Sequence, residues 1–278
     1  MSTISSTSPK PVKTIFNRIL MVFKDPQATR SDINLLLFGE TGVGKSTFIN
    51  SLANYFNYSN FEEAQHSKIE VLISVSLNLS DRTKICGTAD KNERHVSGKS
   101  ATQHVKVYLF PIKMGRKTFN LRLVDTPGVG DPRGMDQDNT NLDNILAYLA
   151  TLKKLHAICF IMKSNQTRFT KFVEYCLKQM LVRLDKSASQ NIIFITTSSK
   201  ITQYKAGDAR IHCLEPLVRD IQSKPPNVSI PLGDKNIFAL DNEAFKALLE
   251  MQEGKTFSKH ELESLANSWD ISSKEIRR

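Results

Sequence analysis

No apolar run in this chain approaches the roughly 18 residues that cross a bilayer as a helix, so the sequence offers no transmembrane helix. The four cysteines, Cys86, Cys159, Cys176 and Cys213, have neither paired nor metal-type spacing. Cys159 and Cys176 sit inside apolar stretches, which predicts buried thiols and a reducing compartment instead of a disulfide framework. The six histidines are scattered, so no transition-metal site is expected. No segment repeats another, which sets repeat arrays aside. Dense basic runs are missing too. The 38 Lys and Arg outnumber the 28 Asp and Glu by a net +10, but they are spread along the chain with no RNA-binding signature beside them. Nucleic acid is therefore not an expected partner. The basic balance reads as a solvated surface around a site for a multiply charged anion.

The 278 residues and 40% hydrophobic composition suffice for one large α/β domain with extensions. Residues 1–30 are rich in Ser, Thr and Pro, then amphipathic and basic through Lys10, Lys13, Arg18 and Lys24, with no acid before Asp25. That composition suits a mitochondrial presequence, or a helix packing through Ile15, Phe16, Ile19, Leu20 and Phe23. The cytoplasm is the expected compartment, with the mitochondrion as the alternative. Residues 31–251 alternate strand-like and helix-like segments, the pattern of a mostly parallel, doubly wound sheet with helices on both faces. Strands are predicted at 34–38, 69–78, 103–111, 119–124, 157–162, 191–196 and 236–240. Helices are predicted at 45–57, 139–155, 170–184, 211–223 and 243–251. Residues 79–101 form a long polar segment that should rearrange with a ligand. Residues 252–278, polar and charged around Leu262, Leu265 and Trp269, read as a polar C-terminal extension, either a terminal helix or the start of a further segment.

One motif dominates. Gly39-Glu40-Thr41-Gly42-Val43-Gly44-Lys45-Ser46-Thr47 satisfies the phosphate-loop pattern G-x-x-x-x-G-K-[ST]. The apolar run Ile33–Phe38 precedes it, and Phe48, Ile49, Leu52, Ala53 and Phe56 follow on one helical face. Glycines let successive N–H groups turn inward toward phosphate oxygens, and the helix beginning near Lys45 adds its positive end. Lys45 supplies a point charge for the outer phosphates and the developing charge of their transfer. The Ser46 hydroxyl is the expected ligand of a bridging magnesium ion. The ligand is thus a nucleoside triphosphate. A second signal lies 80 residues after Lys45, where the strand Asn120–Val124 ends in Asp125-Thr126-Pro127-Gly128. A carboxylate at that strand end can hold magnesium through water, and the Gly128 N–H can sense a γ-phosphate.

Asp125-Thr126-Pro127-Gly128-Val129-Gly130-Asp131 resembles the third guanine-nucleotide box of septins, and with Gly39–Thr47 the chain is similar to the septin-related branch of P-loop GTPases. Leu155-His156-Ala157 through Met162, followed by Thr167-Arg168-Phe169-Thr170, resembles a box of the avirulence-induced, immune-associated (AIG-type) nucleotide-binding GTPases, with Thr167 where those carry glycine. The order of motifs through Asp241–Phe245 is similar to a poorly described eukaryotic group of G-domain proteins. The resemblance implies a P-loop NTPase G domain that takes GTP and GDP with magnesium. It also implies that Thr102 closes on magnesium and the γ-phosphate, other hydroxyls in reach being Thr88, Ser97 and Ser100.

Base reading is where the chain departs from the pattern. Most such domains end the next strand with [NT]-K-x-D, but Thr196-Thr197-Ser198-Ser199-Lys200 brings no aspartate, which keeps a P-loop ATPase open as an alternative, beside a non-hydrolysing nucleotide-dependent scaffold. Lys200 could lay its stem across the purine, and Asn242 matches the asparagine of the immune-associated family's last box. Val129 stands where many GTPases place a water-orienting glutamine, so hydrolysis should be slow. Help is then expected either from a GTP-dependent homodimer, with Arg82, Arg94 or Arg133 reaching a facing subunit's phosphates, or from a separate activating protein, these arginines being solvated.

Overall fold

Alternation along the strands decides the layering. In β1 (Asp32–Phe38), Ile33, Leu35 and Leu37 face one apolar cluster while Leu36 and Phe38 face another. The same two-residue period splits β6 (Ala157–Lys163) and β7 (Ile192–Thr197), so the sheet is buried on both faces. The computed structural model describes residues 32–79, 82–87, 104–114, 117–130 and 135–277. Thr88, Arg94, Ser97, Ser100, Thr102, Arg133 and the basic segment 1–30 lie outside the described residues.

Six strands form the main sheet in the order β4-β5-β1-β6-β7-β8, with β4 as Lys106–Met114, β5 as Lys117–Asp125 and β8 as Ile237–Ala239. β5, β1, β6, β7 and β8 run parallel, and only β4 is antiparallel, to β5. β4 tolerates Pro111 because it is an edge strand. The mostly parallel, doubly wound α/β sheet is the one the alternating segments predict, and the fold is that of the P-loop G domain the resemblance implies.

One face carries α1 (Lys45–Asn57), α2 (Phe61–Gln65), α6 (Glu243–Gln252) and α7 (Lys259–Arg277). The other carries α3 (Met135–Thr151), α4 (Lys171–Arg183) and α5 (Glu215–Ser223), the last continuing a single π-helical stretch, Ala209–Leu214. Leu142, Ile145 and Leu149 of α3 and Val173, Cys176, Leu177 and Met180 of α4 face the sheet as core.

Three segments differ from the sequence reading. The predicted strand at 69–78 is a strand only over β2 (Val75–Asn78). Before it, two asparagines of α1 take over the backbone bonding. Asn50 Oδ1 accepts from Leu72 N and Ile73 N, and Asn54 Oδ1 accepts from Glu70 N. Both side chains are fully buried, and a chain already satisfied by helix side chains needs no partner strand. Part of the predicted loop 79–101 is β3 (Thr83–Cys86), which pairs antiparallel with β2 in a separate two-stranded sheet. Finally, the boundary drawn at residue 252 does not end the packed core. Leu265, Trp269 and Ile276 of α7 are buried in the cluster that holds α1, with Trp269 fully enclosed and edge-on to Tyr55 at 4.7 Å between ring centres.

Candidate nucleotide-binding site

The site lies at the carboxyl ends of β1, β6, β7 and β8, where a doubly wound sheet leaves its crevice. β1 ends at Phe38 and the chain turns through Gly42 (φ 79°) and Gly44 (φ 95°) into α1. Both angles are left-handed, which glycine adopts without strain. Gly44 caps α1 with no side-chain bond, so the helix offers its positive end and first-turn amides to an anion. Gly39 is needed for another reason: a Cβ there would sit 2.2 Å from Ile161 O in β6.

Lys45 is 7% exposed and folds back over the loop, its Nζ donating to Gly39 O and Glu40 O, each at 3.0 Å. Asp125, the last residue of β5, is fully buried opposite Leu37 of β1, and Thr126 Oγ1 ties the same strand end to Leu37 O at 2.7 Å. The next turn is laced to the phosphate loop. Thr41 N donates to Val129 O at 2.9 Å and Val129 N to Gly39 O at 3.3 Å. Gly128 fits beneath Thr41 so closely that a Cβ would lie 2.5 Å from Thr41 Oγ1. Val129 itself is fully buried in the core beneath α3 and α4, so its side chain cannot reach a water at the phosphates.

A cavity of about 540 Å³ opens over the loop. One end is Thr41, Gly42, Val43, Gly44, Lys45, Ser46 and Thr47; the other is Thr197, Ser198, Asp241, Asn242 and Glu243, with Lys163 and Lys246 at its side. The two ends are joined by one hydrogen bond, Thr197 Oγ1 to Val43 O at 2.7 Å. The sequence expectations therefore divide. Thr41–Thr47 and Asn242 line the cavity, whereas Gly39, Asp125 and Gly128 lie behind it and support it. Glu40 turns its carboxylate away, accepting from Gln166 Nε2 at 2.7 Å and Thr170 N at 3.0 Å. The Thr167–Thr170 segment thus anchors the loop, with Phe169 packed on Phe160 and Thr170 capping α4. Lys200 is not among the lining residues; its ammonium bonds Glu243 Oε1. Asn242 Oδ1 accepts from Tyr55 OH at 3.3 Å. Lys163, Thr197, Glu243 and Lys246 were not legible as site residues.

Arg82 binds Glu253 beyond the carboxyl end of α6, a ten-residue helix whose amino end is at the base loop. At about 1.5 Å per residue that is roughly 15 Å from the cavity. Among the described residues no three His, Cys, Asp or Glu side chains converge on a metal-binding centre. The oxygen donors near the loop, the Ser46 hydroxyl and the Asp125 carboxylate, are the hard ligands magnesium takes when phosphates and water complete its shell.

Several known proteins are similar to this chain. "GTP-binding protein A" of Dictyostelium discoideum is 24% identical over 192 residues, which is 69% of this chain and 33% of that protein, so the chain spans about a third of its relative's length. Among solved structures, Toc33 from Arabidopsis thaliana in complex with magnesium and GMPPNP is 13% identical, with a TM-score of 0.43, over 87% of this chain and 93% of that one. The GTPase-like domain of S. cerevisiae Ski7 is 14% identical, with a TM-score of 0.46, over 81% of this chain and 44% of that one. The Septin family model matches residues 29–173, a stretch that enters just before β1, takes in the phosphate loop and Asp125, and ends in the first turn of α4. That is more than half of the chain, and the chain belongs to the septin family.

Proposed function

We propose that this chain binds GTP and GDP with magnesium and hydrolyses GTP slowly, as a molecular switch or assembly module. The observation that carries the reading is the single cavity that joins Thr41–Thr47 to Thr197, Ser198 and Asp241–Glu243, a phosphate end and a base end at the carboxyl edge of one parallel sheet. Membership of the septin family and the similarity to a protein named as GTP-binding support guanine as the base.

In this reading the amides of Thr41–Thr47 and the Lys45 ammonium hold the phosphates. Ser46 and Asp125 would hold magnesium, with Thr102 as the further ligand the resemblance implies, and the ion when bound would share the phosphate charge. Hydrolysis is in-line attack of water on the γ-phosphorus, with Lys45 stabilising the charge that builds on the departing diphosphate. The burial of Val129 supports a slow rate, since no side chain at that position can orient the water. A second copy facing the cavity would then assist, through Arg94 or Arg133; Arg82 is engaged by Glu253 in its own chain. Free thiols at all four cysteines suit a reducing, cytoplasmic setting.

Binding of a fluorescent GTP analogue tests the site. Lys45→Ala and Ser46→Asn should each lose triphosphate binding while circular dichroism stays unchanged; tight binding by both variants sinks the assignment. Single-turnover hydrolysis separates a switch from a non-hydrolysing scaffold. Sedimentation with GDP and with a non-hydrolysable analogue tests the dimer, which a monomer in both states at tens of micromolar rules out.

A further inference from the structure

Guanine presents two donors on one edge, the N1–H and the 2-amino group. Only an acceptor can satisfy both, and an ionised carboxylate is the side chain with two acceptor oxygens and no donor. The usual place for that carboxylate is the fourth residue of the box that ends the base strand. Here β7 ends at Thr197, whose bond to Val43 O fixes the register, and the fourth residue from it is Lys200. An ammonium there has three donors and no acceptor, so it cannot take the missing role.

Two carboxylates do line the base end, Asp241 and Glu243. Asp241 is 7% exposed and committed to the main chain: Oδ2 accepts from Lys200 N at 2.9 Å and Oδ1 from Glu243 N at 3.0 Å. That double bond clamps the turn after β7 to the start of α6 and sets Lys200 and Glu243 side by side. Glu243 Oε1 accepts from Lys200 Nζ, and among the described residues no hydrogen bond is found to Oε2. The Glu243 side chain is 34% exposed, open on the cavity that Lys200 does not line.

We infer that Glu243 supplies the base-reading carboxylate and that Lys200 is its positioning residue, the acidic group having moved from the end of β7 to the start of α6. The inference rests on the guanine-nucleotide reading above. It makes the unusual Lys200 intelligible: a cation at that position pins a carboxylate arriving from the neighbouring strand's loop. It also assigns specificity to the residue that follows Asn242, which the sequence reading left without a role.

The test uses the full chain and three nucleotides: GTP, ITP (which lacks the 2-amino group) and ATP, each competed against a fluorescent GDP with magnesium present. The wild type should bind GTP roughly tenfold or more tighter than ITP, the worth of a hydrogen bond to a charged group. Glu243→Gln should bring that ratio near one while ITP affinity holds within about threefold, because the amide replaces one acceptor oxygen by a donor. Lys200→Met, which leaves the carboxylate but frees it, should lower the ratio part way without changing ATP affinity. If the wild type prefers GTP over ATP and Glu243→Gln keeps the full GTP-over-ITP ratio, the pair is an ordinary surface ion pair and this inference alone fails. Equal wild-type affinity for GTP and ITP, with ATP still weak, overturns it as well. Equal affinity for GTP and ATP overturns the guanine reading itself.

Discussion

Ser272 of α7 grips the main chain of Asp241 from both sides: the Asp241 N–H donates to Ser272 Oγ at 2.9 Å, and the same hydroxyl donates to Asp241 O at 2.8 Å. The last helix thereby holds the loop that forms the base end of the cavity, backed by Tyr55, whose hydroxyl reaches Asp241 O and Asn242 Oδ1. Ser272→Ala should leave a buried N–H without its acceptor and cost about 1–3 kcal/mol of stability. Thermal unfolding with and without saturating GDP should show a lower midpoint in both conditions and a smaller GDP-induced rise than in the wild type. An undiminished rise would mean that the base loop holds its shape without Ser272.

Gly128→Ala should disable the phosphate loop from below. The added Cβ would meet Thr41 Oγ1 at 2.5 Å and Thr41 Cα at 2.7 Å, and the second of these is backbone that cannot swing aside. Overpacking of this kind costs about 1–3 kcal/mol, here relieved by moving Thr41 out of place. Equilibrium binding should show at least a roughly tenfold loss of triphosphate affinity, given about 1.4 kcal/mol per factor of ten. Wild-type affinity in the alanine variant would show that the loop and the Asp125–Gly128 turn move independently.

Removing the Asp125 charge should separate the two nucleotides. Asp125→Asn keeps the shape of a fully buried side chain but removes the charge that would hold magnesium shared with the γ-phosphate. Triphosphate binding in magnesium should weaken more than diphosphate binding, and chelating the metal should narrow the gap between variant and wild type. Equal losses for GTP and GDP would remove Asp125 from this role.

At the opposite end of the sheet, His156 makes stability depend on pH. Burial, with the Lys154 charge adding to it, pushes the imidazole down to about 4, and Nδ1 accepts from Asn34 N at 2.8 Å, so the folded chain is built around the neutral ring. The unfolded ring takes its proton near pH 6.5. Its contribution is therefore fully present above about pH 6.5 and is lost as pH falls toward 4, by up to about 3 kcal/mol. His156→Gln keeps an acceptor and cannot titrate. Urea unfolding at pH 7.5 and pH 4.5 should show a smaller acid loss in the variant, and an identical loss would assign the effect to other groups.

The parallel sheet and the phosphate end were legible because their signals are local. Helix α1 follows from the spacing of Phe48, Ile49 and Leu52, and the loop's glycines mark their own left-handed turns. What sequence could not show depends on contacts between distant segments. Residues 69–74 carry a strand's apolar character, yet Asn50 and Asn54 occupy their backbone groups. Whether residues 252–278 pack on the domain was hidden because half the buried face of helix α7 is Ser268, Ser272 and Ser273, small polar residues without an apolar stripe, and Ser272 meets Asp241 only once packed. The base end was hidden for the same reason. Glu243 has no meaning beside Ala244 in the chain and acquires one only where Asp241 brings it next to Lys200.

The most direct test of the central claim is competition of GTP and ATP for the wild-type site, read by displacement of a fluorescent GDP in magnesium, with Lys45→Ala as the control that should bind neither. A site that hydrogen-bonds a guanine edge rejects a base lacking those donors strongly. GTP should therefore displace the probe at concentrations at least roughly a hundredfold below those ATP needs. Displacement by both nucleotides at the same concentration would contradict the account.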